Sequence, residues 1–266
     1  YDMKIYFASP SGNDINLLKI VGAENFLFSY HYLKKMEEKK LKELLRNCGE
    51  IFLDSGAFSA KSLGEEIDIE NYMQFISKYK IKNYATLDVI GNGKETLKNT
   101  EYMISKGFNP IYTFHKGEEM KYLEEALKFD YIAISGLVGN MSYAEEFLDK
   151  VWKFIIEKKP DLKVHGFGLT KIDMMKRYPW HSVDSSSWVS GRKFGDVFDE
   201  RGNRLEHKKT IEEMKENKYF EFFTEGNLSV LKNVYSLLKM NSDIIERKTK
   251  FDFSHLTAQQ TLNFDL

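Results

Sequence analysis

Eight short β-prone runs, separated by stretches of helical character, constrain this chain more than any other feature. They are Lys4–Ala8, Phe26–Ser29, Ile51–Asp54, Tyr84–Asp88, Pro110–Phe114, Tyr131–Ile134, Lys163–His165 and Ser182–Asp184. Most are continuous apolar runs rather than alternations, as expected for strands buried on both faces of a parallel sheet. The stretches between them supply the crossovers that parallel strands need. Helices are expected from Tyr32 to about Arg46, from Ile69 to Tyr79, from about Lys94 to Ser105 and from about Ser229 to Arg247.

The count of eight predicts an α/β fold of the (β/α)8 or TIM-barrel type, in one domain spanning residues 1–266. The alternative is a doubly wound open sheet, but no Gly-x-Gly-x-x-Gly follows the first strand. Phe220–Phe223 is a ninth strand candidate, able to close the barrel if Lys4–Ala8 lies outside it. The core is expected over about 4–225, with a helical C-terminal tail over about 226–266 that is loosely packed after Phe251. Residues 190–204 break the rhythm and read as a small insertion with a hairpin turning at Glu200–Asn203.

Composition narrows the setting. Hydrophobic residues make up 42% and charged residues 30%, as in ordinary soluble domains, and no apolar run approaches the length of a membrane span. With no secretory signal read at the start and a single cysteine, Cys48, a cytoplasmic setting without a membrane partner is expected. One cysteine also excludes a disulfide framework and a cysteine-rich zinc site. The net charge of −1 gives no global attraction to nucleic acid, so any polyanion needs a local basic patch.

In such a barrel the functional residues lie at the carboxyl ends of the strands. Those ends carry Asp54, Asp88, His115, Ser135-Gly136, His165-Gly166 and Asp184. Three carboxylates in this company favour either a hard-cation site or glycosidic chemistry, in which one carboxylate attacks and a second group moves the proton. Each residue also has a plain structural alternative. Asp184 heads Ser-Ser-Ser and suits a cap, Asp88 suits the cap of the next helix, and His115 and His165 suit satisfied buried histidines.

Several segments resemble the tRNA-guanine transglycosylase superfamily, and most closely its short zinc-free members, the 7-deazaguanine DNA transglycosylases of phage and bacterial DNA modification. They are Phe52–Phe58, Leu87–Ile90, Phe114–Gly117, Ile134–Val138, His165–Thr170 and Tyr178–Trp188. The resemblance implies a barrel enzyme that replaces guanine in DNA with a 7-deazaguanine such as preQ0 through a covalent Asp-glycosyl intermediate. By position, it implies that Asp184 is the nucleophile, Asp54 the acid/base and Asp88 the carboxylate on the guanine N1/N2 edge. His115 falls where the family usually has a glutamine, and Gly136 in a loop whose backbone contacts the base. Ser135, His165 and Gly166 fill out the expected pocket, with Phe58, Trp180 or Trp188 as an aromatic wall for a flipped base. No metal and no cofactor is implied.

This chain departs from the tRNA enzymes at three points. Ala57 and Ser59 replace a glycine and a glutamine, Ser186-Ser187-Trp188 replaces Pro-Thr-Arg, and one cysteine cannot build their zinc subdomain. DNA is therefore expected over tRNA, with the need for a helper protein left open. Strand grip is assigned to Lys171, Lys176, Arg177, Arg192, Lys193, Arg201, Arg204, Lys208 and Lys209, against the alternative of a salt-bridged surface among Asp196, Asp199, Glu200 and Glu206. The rival functions are a zinc-free tRNA enzyme, a retaining glycosidase or nucleosidase, an inactive nucleic-acid-binding relative, and a metal enzyme using Asp54, Asp88 and His115.

Overall fold

The computed structural model describes residues 3–137, 141–169 and 171–244. Strand β1 (Lys4–Ala8) leads to α1 (Gly12–Ile20), β2 (Asn25–Ser29) to α2 (Tyr30–Leu33) and α3 (Glu38–Arg46), and β3 (Glu50–Asp54) to α4 (Ala57–Ser62) and α5 (Ile69–Tyr79). Then come β4 (Asn83–Tyr84) and α6 (Gly93–Ser105), β5 (Tyr112–His115) and α7 (Met120–Ala126), and β6 (Tyr131–Ser135) and α8 (Met141–Lys158). The last units are β7 (Lys163–Gly166) with α9 (Ile172–Arg177), and β8 (Ser182–Ser185). After β8 the chain forms a 3-10 turn at Ser187–Val189, α10 (Ser190–Phe194), β9 (Val197–Phe198), β10 (Arg204–Leu205), α11 (His207–Lys215) and α12 (Glu225–Ile244).

The sheet runs β4-β3-β2-β1-β8-β7-β6-β5, and every neighbouring pair is parallel. A parallel bridge between Ala85 and Ile111 joins β4 to β5 and closes the ring. The fold is a TIM barrel. All eight expected strands are present, with β4 reduced to two residues before the bridge. The Phe220–Phe223 candidate is a turn, because β1 sits between β2 and β8 and leaves no opening for a ninth strand.

Two other expectations are corrected. The helix expected from Tyr32 to Arg46 is broken between α2 and α3, where Lys35 turns out to pair with Glu65 at 2.8 Å. The supposed C-terminal tail begins as α12, which packs on α1, α9 and β1 and completes the outer helical layer. Its Leu228, Leu231, Val234, Leu237 and Met240 are buried at helical spacing, which makes it core rather than appendage. Residues 245–266, including the stretch after Phe251, lie outside the described residues. The hairpin within 190–204 is present as β9 and β10, preceded by α10. Among the described residues, no helix is long and apolar enough to cross a membrane.

The barrel interior is layered, as alternation along each strand requires. At its amino end, Glu50 accepts from Lys4 Nζ (2.7 Å), Tyr6 Oη (2.5 Å) and Asn83 Nδ2 (2.7 Å). Above this polar plug, Tyr6, Leu27, Phe52, Ala85, Ile111 and Ala133 fill the middle. The carboxyl end is left to polar side chains. Packing of α10 on α12 is close enough that a Cβ on Gly191 would lie 2.4 Å from Ser229 Cβ. Gly191→Ala is expected to cost about 2 kcal/mol by overpacking, read as a lowered midpoint in denaturant unfolding.

Candidate active site

Asp184 is presented by β8, the strand that lies between β1 and β7 in the ring. Its Oδ1 accepts the Gly168 backbone N–H at 2.8 Å and faces His165 Nε2 at 3.3 Å. His165 is fully buried, stacked on Phe52 with ring centroids 4.3 Å apart, and its Nδ1 lies 2.6 Å from Ser182 Oγ. Burial drives the His165 pKa down, against the pull of Asp184 upward, so the ring is neutral. The proton positions then follow. Nε2–H donates to Asp184, Ser182 Oγ–H donates to Nδ1, and Tyr131 Oη–H donates to Ser182 Oγ at 2.6 Å. The capping alternative for Asp184 fails, since both contacts described for its side chain come from β7 and the loop after it.

Asp54, at the end of β3, accepts the Gly56 backbone N–H at 3.1 Å. Gly56 itself has φ of +78° and sits where a Cβ would be 2.5 Å from His31 Cβ, so only glycine fits this bend. Burial, then the charges of Asp88 and Asp184, push the Asp54 pKa up from 3.8 to about 7. The three acids therefore share one mouth, and Asp54 is the one poised to exchange a proton near neutrality.

Asp88 accepts from Ser55 Oγ at 2.5 Å and lies 2.8 Å from His115 Nε2. On the far side of the ring, His115 Nδ1 is 3.3 Å from Glu118 Oε1. Burial lowers the His115 pKa, but the two carboxylates outweigh it and raise it to about 9. With both ring nitrogens committed to carboxylates, His115 has no lone pair for a metal, and the set Asp54, Asp88 and His115 does not suit a cation. Among the described residues, no group of three His, Cys, Asp or Glu side chains is arranged to hold one.

Other expected site residues fare unequally. Gly136 has φ of +81° beside Lys116, whose N–H donates to Ser135 O at 3.0 Å, so both residues belong to the rim. Phe58 is 76% exposed on α4, next to the Asp54 bend, and is free to form a wall. The other two wall candidates are core. Trp180 is 1% exposed with Nε1 donating to Met174 O, and Trp188 is 2% exposed with Nε1 donating to Ala8 O. Gly166 is also removed from the pocket. Its missing Cβ would lie 3.1 Å from the Trp180 ring, so this glycine serves packing outside the barrel.

The basic set divides too. Arg177 binds Glu145 and Asp149, and Arg192 binds Asp14 and Asn227, so neither is poised for phosphate. Lys208 and Lys209 stand 4.0 and 3.9 Å from Glu212 and Glu213 on their own helix. Lys176 Nζ donates to Glu200 O, and Lys193 is exposed. Lys171, Arg201 and Arg204 line one cleft of about 460 Å³ with Ser187 and Ser190, although Arg204 pairs there with Asp196. That cleft lies between the loops after β7 and β8, where barrels commonly hold phosphate. A larger cavity, about 640 Å³, opens beside Ser9 and Ser29 and contains none of the acids.

The sequence reading missed Ser55, Glu118, Ser182 and the Gly168 N–H. Glu118 was within reach of it, because it follows His115 by three residues across a glycine turn. No family model matches the chain, and no curated protein sequence matches it. Among solved structures, a protein of Aquifex aeolicus VF5, described as a structural study, is 11% identical with a TM-score of 0.45, covering 89% of this chain and 94% of its own. The N-acetylneuraminate lyase of Mycoplasma synoviae is 10% identical with a TM-score of 0.42, covering 99% of this chain and 95% of its own. Neither adds to what the strand order already shows.

The raised Asp54 pKa has a signed consequence. The folded state holds this proton more tightly than the unfolded chain, so stability falls as pH rises from about 4 to about 7. Asp54→Asn removes the buried charge. The variant is expected to gain on the parent across that window, by on the order of 1–2 kcal/mol after allowance for partial solvent access, with no further gain above it. Thermal unfolding of both proteins against pH checks this.

Proposed function

We propose that this chain is a base-exchange transglycosylase that replaces guanine in DNA with a 7-deazaguanine of the preQ0 type. The observation that carries the reading is the different treatment of three carboxylates in one mouth. Asp184 is held by a backbone N–H and a neutral histidine, Asp88 by a hydroxyl and a cationic histidine, and Asp54 is left to titrate near neutrality.

In the proposed reaction, an Asp184 oxygen attacks C1′ of the nucleotide and the C1′–N9 bond breaks. Asp54 gives its proton to the departing guanine. The 7-deazaguanine then enters, its N9 bonds to C1′, Asp54 takes back a proton, and the Asp184–C1′ bond breaks. His165 Nε2–H keeps Asp184 Oδ1 oriented through both steps, and Gly168 N–H tempers its charge as it leaves. Asp88 accepts from the N1–H and amino group of the base, a pairing carboxylates make well. Phe58 is the side chain suited to stack on the extruded nucleotide, and Lys171 and Arg201 are suited to its phosphates.

A second reading has its own support. Arg177, Arg192 and Arg204 are ion-paired, which weakens the case for a polymer and favours a nucleosidase working on a small substrate with the same acids. One assay separates the two. Protein is incubated with labelled duplex DNA, single-stranded DNA, tRNA or guanosine, with and without preQ0, and the products are resolved by mass. Exchange predicts 7-deazaguanine in DNA, and the nucleosidase predicts free guanine and a hydrolysed sugar. Asp184→Ala is expected to lower the rate by about 10³-fold or more, and Asp184 is expected to carry the trapped sugar. Absence of exchange on every substrate, with Asp184→Ala indistinguishable from the parent, overturns the proposal.

A further inference from the structure

His115 is caught between acids from two connections. Asp88, after β4, lies 2.8 Å from Nε2, and Glu118, after β5, lies 3.3 Å from Nδ1. Ionised carboxylates only accept, so each ring nitrogen satisfies its neighbour only by carrying a proton. Nδ1 and Glu118 Oε1 are sealed from water and neither has a hydrogen-bond partner among the described residues, so their 3.3 Å contact is an ion pair. Two buried polar atoms without hydrogen bonds cost about 1–3 kcal/mol each, and a proton on Nδ1 is the arrangement that offsets this, by setting a cation against the carboxylate. The other Glu118 oxygen accepts the His115 backbone N–H at 3.1 Å, which fixes the carboxylate against the same residue. At 3% side-chain exposure, Glu118 is withdrawn from the mouth and acts through the ring.

We propose that Glu118 is a positioning residue for base binding. Its charge, 3.3 Å from Nδ1, keeps the His115 ring protonated, which commits Nε2–H to Asp88, so that Asp88 meets a flat heterocycle as a fixed acceptor for adjacent N–H donors. The proposal rests on the reading of Asp88 as the carboxylate that takes the base. Asp88 and Glu118 are the charged groups set against the ring, and Ser55 Oγ engages the remaining Asp88 oxygen. Each Asp88 oxygen thus has one internal donor and spare lone pairs for a ligand. A neutral His115 would instead turn a lone pair toward Asp88 or leave Glu118 unanswered.

The test begins without substrate. The chain has six histidines, so ring ¹⁵N resonances are assignable, with His115 identified by its loss in His115→Gln. In the parent at neutral pH, both His115 nitrogens are expected to be protonated, and the ring to titrate near 9. In Glu118→Gln the titration is expected to fall by about one pH unit or more. A neutral His115 ring in the parent, or an unshifted titration in a folded Glu118→Gln, overturns the proposal whether or not the exchange reaction is real. Where exchange is observed, Glu118→Gln is expected to raise KM for the incoming base about 10-fold with kcat near the parent's, and Glu118→Asp to restore part of it. A lowered kcat at unchanged KM counts against base positioning.

Discussion

Repulsion among like charges at the end of one parallel barrel sets the terms for everything at this mouth. Eight strands converge there, and three of them or their connections deliver an aspartate. Three carboxylates at close quarters cannot all stay ionised at no cost, so each needs separate relief. Asp88 finds it in an imidazolium and a hydroxyl, and Asp184 in a backbone N–H and a neutral imidazole. Asp54 receives a backbone N–H from Gly56 and meets the remainder by holding its proton to higher pH. Three identical side chains thus acquire three different electrostatic environments from their surroundings.

The two histidines make the same point with opposite sign. Both are buried, and burial alone would make both neutral. His165 has one carboxylate at 3.3 Å and a hydroxyl on its other side, and it stays neutral. His115 has carboxylates on both sides, and it becomes a cation. The second acid, Glu118, is the difference between them.

The barrel was legible in the sequence because its signal is the strand. A run such as Ile51–Asp54 or Tyr131–Ile134 has few alternatives to a buried strand, and eight such runs leave little choice of architecture. Asp54, Asp88, His115 and Asp184 were legible for the same reason, as the first polar residues after apolar runs. What could not be read was the direction of side chains off the strand axis. Gly166 and His165 are neighbours in sequence, yet one backs onto Trp180 and the other faces the barrel interior. Trp180 and Trp188 stood beside Asp184 in the chain, but their large surfaces are better buried between strand and helix than left in solvent. The basic residues misled because ion pairing is a matter of partners on other elements. Nothing near Arg177 in sequence announces Glu145 and Asp149. The same blindness hid α12, whose apolar stripe was visible but whose place between α1 and α9 was not.

The Gly168 amide reaches across from the β7 connection to hold an oxygen on β8. Asp184 therefore answers to two strands, its Cα fixed by one and its carboxylate aimed by the other. Three residues beyond Gly168 stands Lys171, at the edge of the cleft between the loops after β7 and β8. A ligand held in that cleft would tug on the same short span that aims the Asp184 carboxylate. Occupancy of the cleft and the aim of the carboxylate would then be one mechanical event.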